Sequence, residues 1–226
     1  MKTRILVKEG EYRLSKAFCM DAKIDAEELF CFLTGTDKVG LFLKAEEEVD
    51  TETEEKYFEL IDKRAQRVPL QHITGEQEFM GHKFKVSPDV LIPRQDTETL
   101  VTEAAKIIQE TPREKLSFLE KLKGAKEWEV LDLCCGSGAV GISIMKICSN
   151  VRMTASDISE KALKVAETNA KELHTKVRFL QGDMFEPHEG KKFDMIVSNP
   201  PYIKTLMISI LQEEVKSPEP IQALDG

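Results

Sequence analysis

At 226 residues, with 41% hydrophobic and 32% charged residues, the chain has material for a medium domain joined to a small one and is too apolar to stay unfolded. Its formal net charge of −8 excludes a global basic field that would hold a polyanion by counterion release, which disfavours nucleic acid as a partner. Apolar runs such as Gly138 to Ile147 fall far short of the roughly 20 residues that span a bilayer, and the basic N-terminus runs into Lys8, Glu9 and Glu11 instead of a signal-peptide core, so a cytoplasmic address is expected.

Helical periodicity dominates the first third, in the runs Tyr12, Leu14, Ala17, Phe18 and Leu29, Phe30, Phe32, Leu33, and predicts a small bundle. Asp25 with Glu28, and Thr51 with Glu54, read as N-terminal capping signals. The stretch from Glu46 to Glu59 carries eight carboxylates against one lysine and reads as a solvated helix face. From Val68 to Arg94 turn residues separate short alternating runs, and two strands around Gly81-His82 predict a hairpin. A helix is expected over Asp96 to Glu110, behind Pro93 and a carboxylate-rich first turn.

Strand and helix then alternate. Trp128 to Leu133, Val151 to Ser156, Val177 to Leu180 and Phe193 to Val197 read as strands, with helices over Ala139 to Cys148 and from Ser159, as N-cap, to Leu173. Such a β-α-β-α-β series predicts a doubly wound, mainly parallel α/β sheet with right-handed crossovers, which binds ligands at the carboxyl ends of its strands.

Four motifs fall at those ends. Leu131 to Gly141 holds Asp132, Leu133, Cys134, Cys135, Gly136 and Gly138. The glycines allow a tight turn and close approach of a ligand to bare backbone, and the following helix offers its first amides. Gly136, Gly138 and Gly141 formally satisfy the dinucleotide fingerprint G-x-G-x-x-G. Asp132 weighs against a pyrophosphate and suits the ammonium of a methionine, so S-adenosylmethionine fits better than NAD. Asp157, 21 residues after Gly136, is placed to accept ribose hydroxyls, the alternative being a helix-capping role. Asp183 and Met184 follow the next strand and are candidates for the adenine.

The most specific motif is Asn199-Pro200-Pro201-Tyr202, directly after the last strand. Consecutive prolines stiffen the loop and remove two amide donors, which leaves carbonyls as fixed acceptors. An amide or aromatic amine is a poor nucleophile, and two acceptors on its N–H groups would aim it at a sulfonium methyl. Asn199 and the Pro200 carbonyl are the expected pair, with Pro201 and Tyr202 against the planar substrate group. His72, His82, His174 and His188 show no metal-ligand spacing, so no metal is expected. Five cysteines, an odd set without C-x-x-C spacing, are expected to be reduced thiols.

The segments Pro69 to Gly75 and Leu91 to Glu98, the glycine loop and Asn199 to Tyr202 together resemble the HemK/PrmC family of release-factor glutamine methyltransferases. The resemblance implies a helical recognition domain (1–68), a hairpin linker (69–94) and a Rossmann-like class I catalytic domain (95–226). That domain would methylate the glutamine of the Gly-Gly-Gln loop of peptide-chain release factors. By position, Asp132 to Gly136 would line the methionine of the cofactor, Asp157 its ribose and Met184 its adenine, with Asn199 to Tyr202 holding the substrate amide. Cys134-Cys135 stands where Gly-Thr is commoner, and Gln95 where a second proline is usual. The family continues beyond the segment that here is Ala223 to Gly226, so a catalytic domain incomplete at its C-terminus is expected, with the strand ending at Ser198 as a sheet edge. An adenine or guanine amino-methyltransferase sharing the Asn-Pro-Pro-Tyr loop, and a binding protein without activity, are the alternatives.

Overall fold

A computed structural model describes residues 1–111, 127–203, 220 and 223. Two compact units meet in sequence at Gly75 and Glu76. The first holds helices α1 (Thr3–Lys16), α2 (Ala22–Thr34), α3 (Lys38–Leu43), α4 (Thr51–Ala65) and α5 (Leu70–Thr74). Leu6, Leu14, Leu29, Tyr57 and Ile61 are completely buried at its centre, and the Tyr57 hydroxyl donates to the Ala26 carbonyl at 3.1 Å.

Two capping expectations change here. Asp25 does not start a helix: α2 begins at Ala22, and Asp25 is buried inside it, 2.7 Å from Arg64 Nε. An ionised carboxylate buried in this way is costly without such a partner, and that partner lies 39 residues away. The cap of α4 is Asp50, one residue before the expected Thr51, and its side chain accepts from the Thr53 amide at 2.9 Å.

The second unit opens with the hairpin β1 (Glu76–Phe79) and β2 (His82–Lys85), antiparallel, with Met80 and Gly81 at the turn, both at positive φ, as the tight two-residue hairpin requires. Phe79 and Phe84 meet edge to face in the core, ring centroids 6.0 Å apart. A 3₁₀ turn over Gln95–Thr97 leads into α6 (Glu98–Glu110). The Met80 amide donates to the Glu98 carboxylate at 2.7 Å, tying the hairpin turn to the start of α6.

Then follow β3 (Trp128–Leu133), α7 (Ala139–Ile147), β4 (Val151–Asp157), α8 (Glu160–Glu172), β5 (Arg178–Gln181) and β6 (Met195–Ser198). The four strands are parallel in the order β5-β4-β3-β6, a Rossmann-like sheet. Its core joins Val101 and Ile108 of α6 to Val130, Ile142, Ile144 and Met153. A second cluster of Ala155, Leu163 and Ala166 lies under α8. β3 has β4 on one side and β6 on the other, so the chain reverses direction across the sheet at β3, where doubly wound sheets open a crevice. Among the described residues β6 lies at the sheet edge. No described helix is long and apolar enough to cross a membrane.

Asn169, on α8 and 1% exposed, fastens the hairpin to the glycine loop. Its Oδ1 accepts from the Lys85 amide at 2.7 Å, and its Nδ2 donates to the carbonyls of Lys85 at 3.0 Å and Ser137 at 2.9 Å. Asn169→Ala strands three backbone groups and is expected to cost about 3 kcal/mol of stability, read from the urea midpoint.

Candidate active site

The site is built on the loop that joins β3 to α7. A helix beginning directly after a strand end leaves its first amides without intrahelical partners. One of them, on Gly141, donates to Asp132 Oδ2 at 2.8 Å. The approach is so close that a Cβ at Gly141 would come within 2.8 Å of that oxygen and 3.2 Å of Met153 Sδ, which accounts for the third glycine of the motif. The turn itself places Cys134 at φ +60°, Gly136 at +53° and Gly138 at +77°. Glycine takes such angles freely; a residue with a Cβ does not. Cys134 holds its strained angle inside a wired loop, where the Cys135 amide donates to the Ser156 carbonyl at 3.0 Å and the Gly138 amide to the Cys135 carbonyl at 2.8 Å. Cys134→Gly removes the clash and is expected to raise stability by about 1 kcal/mol, seen as a higher melting temperature.

Asp157 ends β4. One carboxylate oxygen accepts from the Gly136 amide at 2.8 Å and the other from the Ser159 amide at 2.9 Å. The side chain therefore braces the glycine loop and the start of α8, where Ser159 is the N-cap as expected, accepting from the Ala162 amide at 3.2 Å. Each carboxylate oxygen keeps a further lone pair for a ligand hydroxyl.

These elements enclose a largely apolar cavity of about 310 Å³ at the carboxyl ends of β3, β4 and β6, at the small end of the range for small-molecule sites. Of the residues singled out from the sequence, Asp132, Leu133, Cys134, Cys135, Gly136, Asp157, Asp183, Met184, Asn199 and Pro201 line it. Gly138 serves instead as the N-cap of α7. Pro200 and Tyr202 are not on its wall; both are exposed, Tyr202 to 77%. Sequence reasoning assigned no role to Val90, Thr97 or Ser156, which also line the cavity. Thr97 belongs to the Leu91 to Glu98 segment that carried the resemblance. Packing of Val86 and Val90 on Ala162 brings that segment over α8.

Asp132 is the electrostatic centre. It is 1% exposed, and no described cation pairs with it. Burial, reinforced by the charge of Asp157 and opposed by the Gly141 hydrogen bond, pushes its carboxyl up to about 7. Such a carboxylate favours a cationic ligand. The Cys134 thiol is pushed up by burial and by Asp157, which keeps it protonated and blunts its nucleophilicity; its sulfur lies 4.0 Å from Met184 Sδ. Ser198 at the end of β6 donates to the Leu133 carbonyl at 2.7 Å, and the next residue, Asn199, turns into the cavity with Nδ2 3.4 Å from Thr97 Oγ1.

Known proteins resemble this chain in both units. The PrmC N-terminal domain family matches residues 6–75, and the methyltransferase small domain family matches residues 115–217. A release factor glutamine methyltransferase of Moorella thermoacetica is 37% identical over 228 residues, covering 100% of this chain and 75% of that protein. The chain belongs to the release factor glutamine methyltransferase family. A second relative of that name, from Koribacter versatilis, is 40% identical over 205 residues, covering 90% of this chain and 68% of its own length. The fold is that of the class I S-adenosylmethionine-dependent methyltransferases, and the chain is an enzyme of that class. Among solved structures, the tRNA (uracil-54, C5)-methyltransferase of Pyrococcus abyssi, in complex with S-adenosyl-L-homocysteine, is similar over 62% of this chain and 31% of that one, with TM-score 0.41 and 17% identity.

Proposed function

We propose that this chain methylates the side-chain amide nitrogen of the glutamine in the Gly-Gly-Gln loop of peptide-chain release factors, with S-adenosylmethionine as donor. The observation that carries the reading is Asn199, held at the cavity wall at the end of β6 beside the buried carboxylate Asp132. The cavity fits the cofactor: Asp132 calls for a cation such as the methionine ammonium, Asp157 has lone pairs for ribose hydroxyls, and Met184 with the neighbouring Asp183 offers a thioether face and an acceptor for adenine. When bound, S-adenosylmethionine would supply a sulfonium methyl as electrophile, its sulfur keeping the electron pair of the broken sulfur–methyl bond and leaving as S-adenosylhomocysteine.

The protein's part is positioning. An amide nitrogen is weakly nucleophilic because its lone pair is delocalised into the carbonyl. Asn199 Oδ1 at the cavity wall and the carbonyl of Pro200, which lies outside the wall on the exposed loop, would accept its two N–H groups as the substrate docks on that loop, orient the nitrogen toward the methyl and favour the positive charge that develops on it. As the nitrogen–carbon bond forms, one of those protons leaves to solvent. Two prolines in succession hold the acceptors without competing donors.

Residues 1–68 serve as the docking domain for the release factor, 69–94 as the hairpin linker and 95–226 as the catalytic domain. The division into two compact units at Gly75 and Glu76, which puts the hairpin with the catalytic part, and the match of residues 6–75 to the PrmC N-terminal domain support separate roles for the helical and catalytic parts. The net charge of −8 favours a protein over a nucleic-acid substrate, and the reaction is placed in the cytoplasm, with translation termination. The deciding experiment is transfer of labelled methyl to a purified release factor, with the loop glutamine replaced by alanine as control. Label on the intact factor alone supports the reading; label on RNA or DNA instead, or none on the factor, rejects it.

A further inference from the structure

Thr97 stands at the N-cap of α6 with helical φ −71° and ψ −17°, and its side chain makes no cap hydrogen bond. Threonine at that position ordinarily accepts from an amide of the first turn. Here the hydroxyl faces Asn199 instead, accepting from Nδ2 at 3.4 Å across 102 residues of sequence, and both residues line the cavity.

A carboxamide has one accepting end and one donating end, and the two are nearly the same shape. Asn199 therefore works as an acceptor only in one of two flips. In the other, its NH₂ would face the substrate's own N–H groups, donor against donor, so the substrate itself selects the flip and what the protein must fix is where the side chain is held. We propose that Thr97 is a positioning residue: its hydroxyl, 3.4 Å from Nδ2, tethers the Asn199 carboxamide at the cavity wall and so holds its accepting oxygen where the substrate amide must meet it. The proposal rests on the glutamine-methylation reading, in which Asn199 must be held as an acceptor for the N–H groups of the substrate amide. It also gives the Leu91 to Glu98 segment a chemical task. The Met80 amide bond to Glu98 holds the next residue in place, so the hydroxyl is delivered from a braced turn.

Thr97→Val keeps the shape and removes the hydroxyl; since no cap bond is lost, the melting temperature is expected to stay within about 2 °C. The turnover number on release factor is expected to fall about tenfold, with the cofactor dissociation constant within twofold of wild type, and Thr97→Ser is expected to restore turnover. In the free protein, the side-chain NH₂ resonances of Asn199 are expected to shift in Thr97→Val and to return in Thr97→Ser. Unchanged turnover and unchanged resonances in Thr97→Val overturn the proposal, as does a loss shared equally by cofactor affinity or left uncorrected by serine. Resonances that respond to Thr97→Val in a wild-type protein that labels no release factor would reject the glutamine reading while keeping the Thr97–Asn199 contact.

Discussion

Asn199→Ala is expected to lower the turnover number by a factor on the order of 100, with the cofactor dissociation constant changed by far less. Under the proposed function, the size follows from what is removed: an acceptor where positive charge would gather on the attacking nitrogen, and the element that would orient that nitrogen. Loss of a single preorganised dipole of this kind, or a misplacement of about 1 Å, typically costs around 100-fold. Alanine leaves the Ser198 to Leu133 hydrogen bond at the end of β6 untouched, so the sheet register survives. Single-turnover labelling of a release factor, alongside calorimetric titration of S-adenosylhomocysteine, separates the two quantities. Turnover within threefold of wild type would remove Asn199 from the catalytic role.

Asp132→Asn is expected to weaken S-adenosylmethionine binding by about 10- to 100-fold, the loss that accompanies replacing a charge-assisted hydrogen bond by a neutral one. The amide oxygen of asparagine can still accept from the Gly141 amide, so the start of α7 keeps its partner. The wild-type carboxyl, pushed up to about 7, also sets a pH dependence. In the free protein this group binds a proton that the unfolded chain has already released, so the stability it confers is complete below about pH 4 and is lost as pH rises through about 7. Above pH 7 the ionised carboxylate is buried without a described cation, and Asp132→Asn is expected to melt higher than wild type in the absence of cofactor. Pairing of Asp132 with the methionine ammonium, as proposed, requires the ionised form, so wild-type affinity is expected to fall as pH drops from about 8 to 6, with proton release measurable as a buffer-dependent binding enthalpy. A flat profile, or an Asp132→Asn variant that binds as tightly as wild type, would place the methionine ammonium elsewhere.

The same carboxylate illustrates how legible the site was. Asp132, Asp157, Asp183 and Asn199 are visible in the sequence because each sits within two residues of the end of a strand, and in a parallel sheet those ends share one rim. What Asp157 touches was not visible: its oxygens are engaged by two backbone amides, so it shapes the loop as well as facing the cavity. Pro200 and Tyr202 carried as strong a signal as Asn199, yet their side chains lie off the cavity wall, because a strand end fixes the path of the backbone and not the direction of each side chain beyond it. Cys134 departs from the glycine its φ of +60° would favour, and the surrounding hydrogen bonds hold it there.

By itself the sequence determined the alternation of strand and helix from Trp128 onward, the bounds of β3, a hairpin expected around Gly81-His82, whose turn falls one residue earlier at Met80-Gly81, and the tight turn at Gly136 to Gly138. Each of these rests on periodicity or on the φ preferences of neighbouring residues, which are local properties. Only the tertiary structure decided the strand order β5-β4-β3-β6, the burial of Asp25 against Arg64, the Asn169 bonds to Lys85 and Ser137 and the approach of Thr97 to Asn199. The side-chain pairs among these join residues 32 to 102 positions apart, and no local preference encodes them: they form because packing the apolar faces of the helices brings those polar groups out of water together, where each must find a partner.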